Sequence, residues 1–126
     1  MQVIFAVSDL ARSLQFYERV LGWPRNDAID YPEYVELLAP EGGSLGLYER
    51  DGYAELLGAE PAEVPSGAVA PAYLYVRVDD TGAAVSRLEE AGARPLSALA
   101  PRSWGHEAAW FAEPDGNVIA VAQPVH

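Results

Sequence analysis

Hydrophobic and polar positions follow two successive periods at the start of the chain. Residues 2–7 are a short apolar run rich in β-branched side chains, which is typical of a strand. Apolar side chains then recur at helical spacing over residues 10–21, directly after Asp9, a residue suited to cap a helix N-terminus. Gly22 is suited to end such a helix. The pattern therefore predicts a strand followed by an amphipathic helix.

The same order of patterns occurs a second time. Val7-Ser8-Asp9 matches residues 78–80, Val-Asp-Asp, at a shift of 78 − 7 = 71 residues. Further strands are predicted after each helix, at residues 34–38 and 44–48 in the first half and 108–112 and 118–122 in the second. This internal repeat predicts an α+β fold of two βαβββ modules, whose curved mixed sheets surround a concave cavity.

The repeat also predicts the domain organisation. The chain has 126 residues, so we expect one domain, with module one at residues 1–50 and module two at residues 72–126. The segment between them, residues 51–71, is rich in proline and glycine and has no clear period. Long connections of this kind are often functional, and a plain tether is the alternative.

Composition narrows the classes of partner. The formal net charge is −11, and all eight basic residues are arginine, so we expect no binding to nucleic acid. An acidic surface attracts cationic ligands, although solubility alone is a sufficient explanation. There is no cysteine, no apolar run near the ~20 residues of a membrane span, and no signal-peptide pattern. These features predict a cytoplasmic protein without membrane contact.

Strand alternation places aromatic side chains on the sheet face turned away from the helices. Tyr73, Tyr75 and Arg77 share this face of one predicted strand. Aromatic walls suit flat or cationic ligands, and an arginine among them is suited to anchor a carboxylate. Packing in the core is the alternative role for each ring, and a structural ion pair is the alternative for Arg77.

Titratable side chains are expected around the same face. Glu36 or Glu107 is suited to hold a ligand amine. His106 lies in a predicted loop, where it is either a lone acid–base group or a solvated side chain. The candidate ligand-binding residues are therefore Gln2, Glu36, Tyr48, Tyr73, Tyr75, Arg77, Trp104, His106 and Trp110.

Two motifs give the chain a family resemblance. The run VSDLARSLQFY at residues 7–17, followed by Leu21-Gly22, resembles the first module of the vicinal-oxygen-chelate superfamily. Trp104-Gly105, Phe111 and the sequence EPDGN at residues 113–117 resemble the end of its second module. The superfamily includes glyoxalase I, extradiol dioxygenases, fosfomycin-resistance enzymes and bleomycin-resistance proteins. The resemblance covers essentially the whole chain and implies the two-module fold, without identifying a reaction.

The resemblance also indicates where a metal would bind. Metal-using members carry four ligands on their strands. The first, His or Gln, falls here on Gln2, and the second, Glu or His, falls on Gly46, or on Tyr48 if the strand register slips. The third, His, falls on Tyr73, and the fourth, Glu, falls on Ala120. Only Gln2 matches, because glycine and alanine have no ligating side chain and tyrosine is a rare ligand for divalent ions. The chain has two histidines, His106 and the terminal His126. We therefore expect no metal and no other cofactor.

Metal-free members similar to the bleomycin-resistance proteins are small acidic dimers that bind a drug without altering it. The resemblance thus implies a homodimer that sequesters a small aromatic molecule, which would be cationic if charge steering selects it. One alternative is a metal-independent lyase or isomerase that uses His106 or Glu36 as acid–base group. Another is an accessory dimerisation domain with no ligand of its own.

Overall fold

The two sequence repeats correspond to two compact units in the computed structural model, which describes residues 1–125. The first unit is Met1–Ala62, and the second begins at Glu63. Each unit has a strand, a helix and then further strands. Each also has its own mixed sheet, in which one pair of strands is parallel and the others are antiparallel. The predicted α+β fold with two mixed sheets is therefore confirmed.

The first unit has a three-stranded sheet. Its elements are β1 (Gln2–Val7), α1 (Leu10–Leu21), β2 (Tyr34–Leu38), β3 (Ser44–Glu49) and α2 (Arg50–Leu57). The strand order is β1-β3-β2, with β1 parallel and β2 antiparallel to the central β3. Helix α2 occupies the start of the segment that has no clear sequence period.

The second unit has a four-stranded sheet. Its elements are β4 (Tyr73–Arg77), α3 (Thr81–Glu90), β5 (Arg94–Pro101), β6 (His106–Ala112) and β7 (Val118–Pro124). The strand order is β4-β7-β6-β5, with β4 parallel to β7. The pairs β4–β7 and β7–β6 therefore repeat the arrangement of β1, β3 and β2.

The units differ at the strand that follows the first helix. In the second unit this strand is β5, whereas in the first unit it is reduced to a single bridge between Arg25 and Leu37. The reason is local, because the Asn26 side chain accepts a hydrogen bond from the Ala28 backbone N–H at 3.1 Å. That turn carries the chain away from β2, so module one lacks the full strand that a βαβββ module has.

The first helix of each unit begins in the same way. Asp9 accepts a hydrogen bond from the backbone N–H of Arg12, and Asp80 accepts one from that of Ala83, both at 3.0 Å. Each cap satisfies a backbone donor that the helix itself leaves unpaired, which is worth about 1 kcal/mol. The predicted start of the first helix after Asp9 is confirmed, and α3 begins at the position that the repeat matches to it.

One face of each sheet packs on its helix and forms the core of that unit. Leu45 and Leu47 of β3 are fully buried, as are Ile119 and Val121 of β7. Alternation then turns the intervening side chains of each strand to the opposite face, which carries the candidate site residues. Within the part of the chain that the structure describes, no helix is long and apolar enough to cross a membrane.

Candidate functional site

Six of the predicted ligand-binding residues come together on one face of the second sheet. β4 contributes three of them, β6 contributes two, and the loop before β6 contributes the sixth. Each is joined to at least one of the others by a ring contact or a hydrogen bond. We call this set the aromatic surface, and its members are Tyr73, Tyr75, Arg77, Trp104, His106 and Trp110.

Trp110 lies at the centre of the aromatic surface. Its ring centroid is 5.9 Å from that of Tyr73 and 6.1 Å from that of Trp104, in both cases edge to face. The Tyr75 ring centroid lies 6.3 Å away. Edge-to-face pairs at these distances are the favoured arrangement of aromatic side chains, each worth about 0.5–1.5 kcal/mol beyond buried area. The rings therefore stabilise one another as a group.

Arg102 supports this group, and sequence reasoning missed it. Its guanidinium carbon lies 4.9 Å from the Trp110 ring centroid, within the range of a cation–π contact. The same guanidinium donates to the carbonyl oxygens of Ala98 and Ala108 and to Ser97 Oγ, at distances from 2.5 to 3.3 Å. An arginine in a loop carries no sequence signal for such a role, because its partners lie on β5 and β6.

A chain of hydrogen bonds joins the polar atoms of the aromatic surface. Trp104 Nε1 donates to Tyr75 Oη at 2.9 Å, and Tyr75 Oη lies 2.7 Å from His106 Nδ1. His106 Nε2 lies 3.2 Å from an Arg77 Nη2 atom. The His106 ring also stacks beside that of Tyr75, with centroids 5.9 Å apart. The sequence predicts that His106 lies in a loop, whereas in the structure it is the first residue of β6 and is partly buried.

The donors in this chain determine the tautomer of His106. Arginine has only N–H donors, so Nε2 must be the acceptor in the contact with Arg77. The proton of the neutral imidazole is then on Nδ1, and Nδ1 donates to Tyr75 Oη. This assignment follows from the hydrogen-bond network, as is usual for histidine.

The aromatic surface is only partly covered within its unit. Tyr73 and Trp104 are each 54% exposed, whereas Tyr75, His106 and Trp110 are half-buried. Large aromatic side chains that are held by neighbours and still exposed are characteristic of surfaces that bind something. The exposed rings lie beside the polar atoms of Tyr75, His106 and Arg77, so the surface offers stacking and hydrogen bonding together.

The corresponding face of the first unit is filled by tyrosines. Gln2 Nε2 donates to Tyr34 Oη at 2.5 Å, and the Tyr34 ring lies over Gly46. A Cβ added at Gly46 would overlap Tyr34 Oη. Glu36 is the register partner of Gly46 on β2, and the Tyr48 ring packs edge to face on Tyr34 at 5.5 Å. The three predicted residues Gln2, Glu36 and Tyr48 thus surround Tyr34.

Two of these tyrosines have altered acidity. Partial burial, with a further contribution from the Glu36 carboxylate, raises the pKa of Tyr34 above its ordinary value. Partial burial and the neighbouring Tyr31 hydroxyl raise the pKa of Tyr48. Both side chains therefore stay protonated over the physiological pH range and act as neutral hydrogen-bonding groups.

Glu107, which the sequence offers with Glu36 as a partner for a ligand amine, lies away from the aromatic surface. Glu107 Oε1 accepts a hydrogen bond from Thr81 Oγ1 at 2.6 Å, and Thr81 is the first residue of α3. Gln123 Oε1, from the paired position on β7, also accepts from the Thr81 backbone N–H at 2.6 Å. Because β6 begins at His106, alternation turns Glu107 to the helix side of the sheet, where it supports the start of α3.

The residues at the four metal-ligand positions do not fit a divalent metal. In the first unit Gly46 has no donor, and the Tyr34 ring occupies the space above it. In the second unit Ala120 has no donor and is fully buried, and Tyr73 packs on Trp110. Among residues 1–125, no three His, Cys, Asp or Glu side chains are grouped so that they could hold a metal ion.

Comparison with known proteins gives the fold and its family. The family model described as Glyoxalase/Bleomycin resistance protein/Dioxygenase superfamily matches residues 2–121. The uncharacterized protein YraH of Bacillus subtilis (strain 168) is 27% identical over 122 residues, which are 96% of this chain and 94% of that protein.

Solved structures show the same fold at lower identity. A glyoxalase/bleomycin resistance protein/dioxygenase family enzyme from Burkholderia phytofirmans PsJN has a TM-score of 0.80 and 19% identity, covering 98% of this chain and 97% of that one. The fosfomycin resistance protein FosX from Mesorhizobium loti has a TM-score of 0.69 and 12% identity, covering 99% and 91%. At these identities the likeness establishes the fold alone.

Proposed function

Because the chain belongs to the Glyoxalase/Bleomycin resistance protein/Dioxygenase superfamily, we propose that it is a metal-free member that binds and sequesters a small aromatic molecule. The ligand lies against the aromatic surface of the second unit. The observation that carries this proposal is that Trp110 and its neighbours form one connected group in which Tyr73 and Trp104 remain more than half exposed.

The chemistry of the surface supports an aromatic ligand. Tyr73 and Trp104 present ring faces and edges on which a flat molecule can stack, and their contacts to Trp110 fix them beforehand. Preformed apolar walls with a few placed polar atoms are typical of small-molecule sites. Little rotamer freedom is then lost on binding, which favours affinity.

The residues at the four family positions support the metal-free part of the proposal. Gly46 and Ala120 have no donor atoms, and the Tyr34 hydroxyl over Gly46 is already hydrogen-bonded to Gln2. A metal at these positions would keep at most Gln2 and Tyr73 as protein donors, fewer than a resident divalent ion usually has.

The hydrogen bonds of His106 favour binding over acid–base catalysis. Nδ1 donates to Tyr75 and Nε2 accepts from Arg77, so neither nitrogen is free to take a proton from a substrate. Catalysis by His106 would first require one of these hydrogen bonds to break. Glu36 is the register partner of Gly46 in the first unit and is not part of the aromatic surface.

We test the proposal with three naphthalenes that differ only in the substituent at position 2: a carboxylate, a carboxamide and an aminomethyl group. The protein is labelled with ¹⁵N at the tryptophan indoles. We expect saturable shifts of the Trp104 and Trp110 Nε1–H signals with at least one of these compounds, and recovery of the compound unchanged. Trp23, which follows α1 in the first unit, is the internal reference. If none of the three compounds shifts the indole signals of Trp104 or Trp110, the proposal is wrong.

We also propose that the protein is a homodimer, because two-fold dimers are the commonest soluble assemblies and the family resemblance implies one. Size-exclusion chromatography with light scattering measures this directly. A dimer has twice the chain mass of 13.6 kDa, and a monomeric mass at micromolar concentration contradicts the assignment.

A further inference from the structure

One proton in the aromatic surface has no acceptor. The Tyr75 hydroxyl has one O–H donor and two lone pairs. Both lone pairs are used, since Trp104 Nε1 can only donate and His106 Nδ1 carries the imidazole proton. Among residues 1–125, no oxygen or nitrogen accepts from the Tyr75 O–H. This proton is therefore available to an acceptor that the protein does not supply.

Arg77 provides a second set of donors beside it. Arg77 Nη2 donates to His106 Nε2, and the Arg77 side chain is exposed. The guanidinium has five N–H donors, so four remain for solvent or a ligand. Within the described part of the chain no carboxylate forms an ion pair with Arg77, and its positive charge is not neutralised.

His106 holds these two groups on either side of its ring. Its ring bonds to Tyr75 through Nδ1 and to Arg77 through Nε2, so one rigid imidazole spaces the hydroxyl from the guanidinium. Trp104 fixes Tyr75 from a further direction. Donors on either side of the ring match the two oxygens of a carboxylate, and charge-assisted hydrogen bonds to a carboxylate are about twice as strong as neutral ones.

We propose that the aromatic ligand carries a carboxylate, one oxygen of which accepts a hydrogen bond from Tyr75 Oη and the other from Arg77, while the ligand ring stacks on Tyr73 and Trp104. This inference rests on the proposed function and adds the chemical class of the ligand, an aromatic acid. It also reverses the expectation from net charge. A charge of −11 steers cations toward the protein as a whole, whereas the polar groups that remain available at this site are donors, and one of them is the positively charged Arg77.

The three naphthalenes separate the two proposals when their affinities are measured by calorimetry. We expect 2-naphthoate to bind at least about tenfold more tightly than 2-(aminomethyl)naphthalene, because only the carboxylate can accept from Tyr75 and Arg77. Equal affinities, or tighter binding of the amine, overturn the inference and leave the proposed function standing. Absence of binding by all three compounds overturns both.

Two substitutions assign the effect to atoms. Tyr75→Phe keeps the ring and removes the hydroxyl, so 2-naphthoate affinity should fall about tenfold or more while the affinity of the amine stays the same. Arg77→Gln should weaken 2-naphthoate at least as much. The matched controls are Tyr53→Phe on α2 of the first unit and Arg87→Gln on α3, and both should leave the affinity unchanged. Unchanged 2-naphthoate affinity in Tyr75→Phe contradicts the inference.

The histidine tautomer gives a readout that does not depend on ligand. In a His126→Gln background, where His106 is the one histidine left, ¹⁵N chemical shifts report which ring nitrogen carries the proton. We expect the proton on Nδ1, and a mixture of tautomers in Arg77→Gln. A proton on Nε2 in the unsubstituted site would mean that Tyr75 donates to His106, and the inference would be wrong.

Discussion

The two units place different side chains at corresponding positions of the same strand arrangement. Both faces that turn away from the helices have a small residue on the central strand, Gly46 on β3 and Ala120 on β7. The neighbour of Gly46 on the paired strand is Glu36, whereas the neighbour of Ala120 is Trp110. In the first unit the Tyr34 ring lies over the glycine, and in the second the tryptophan joins an exposed aromatic group.

The two faces therefore differ in hydrogen bonding: the tyrosine hydroxyl of the first has a partner within the protein, whereas donors of the second do not. In the first unit the Tyr34 hydroxyl has Gln2 as its partner. In the second unit the network leaves the Tyr75 proton and most donors of Arg77 without a partner among the described residues. A repeat therefore conserves the scaffold, while the substitution of a few outward positions decides which copy has binding chemistry.

The largest expected effect is on stability, and it tests whether the two sheet faces that pack on the helices form equivalent cores. Leu45 and Ile119 occupy equivalent core positions and are fully buried. Leu45→Ala and Ile119→Ala should each lower the free energy of unfolding by about 2–5 kcal/mol, through lost burial and the cavity left behind. Urea denaturation measures this, and Leu56→Ala at an exposed position of α2 should change it by less than about 0.5 kcal/mol.

If Ile119→Ala were costly and Leu45→Ala nearly neutral, the units would not have equivalent cores. The comparison would then have to begin at the core and not at the outward faces.

A second test addresses the tyrosine over Gly46. Gly46→Ala should destabilise the protein by about 1–3 kcal/mol, because the new methyl group would overlap the Tyr34 hydroxyl. In a Tyr34→Leu background the same substitution should cost much less, since the ring is gone. The free energies of unfolding of the four proteins in this cycle give the coupling. Additive effects would show that Tyr34 does not fill the space above Gly46.

A third test uses the acidity of Tyr34. Its folded pKa is raised above the ordinary value of about 10, so its contribution to stability is fully present below that pH and is lost as pH rises through the folded pKa. The loss should stay below about 1 kcal/mol, because the side chain is only partly buried. The difference in absorbance at 295 nm between the unsubstituted protein and Tyr34→Phe should show a midpoint above 10, and a midpoint at or below 10 contradicts it.

The smallest expected effect is that of metal. Untagged protein purified without chelator should contain less than about a tenth of an equivalent of Zn, Fe, Mn or Ni. Addition of these ions should leave the melting temperature unchanged, because an ion that binds the folded state stabilises it. One equivalent of bound metal, or a rise in melting temperature that chelator reverses, would overturn the metal-free assignment.

Local patterns carried the prediction of the fold and part of the site. The caps at Asp9 and Asp80 are formed by neighbours in sequence, so they can be read directly from it. Period-two alternation predicted that Tyr73, Tyr75 and Arg77 share a face, because successive side chains of a strand point to opposite sides. No such pattern marked β5, which has no clear apolar period, and in the 51–71 segment the sequence indicated no more than a helical turn over residues 54–60, where the structure has α2.

The start of a strand could not be fixed where the strand follows a glycine loop. The predicted strand began at residue 108, whereas β6 begins at His106. That shift made His106 appear to be a loop residue and hid the orientation of Glu107 toward Thr81. An error of two residues in the start of β6 leaves the predicted fold unchanged, but it changes which side chains are expected at the site.

The sequence by itself determined the repeat, the family and the aromatic character of the second unit. Each of these depends on residue types and on spacing within one strand or helix. Only the tertiary structure decided the partners of His106, the support of Trp110 by Arg102 and the free proton on Tyr75. The two hydrogen bonds of His106 join it to residues that are 31 and 29 positions away in the sequence, so they depend on the register of β4, β7 and β6. That register is set by packing across the whole sheet, so no local pattern encodes it.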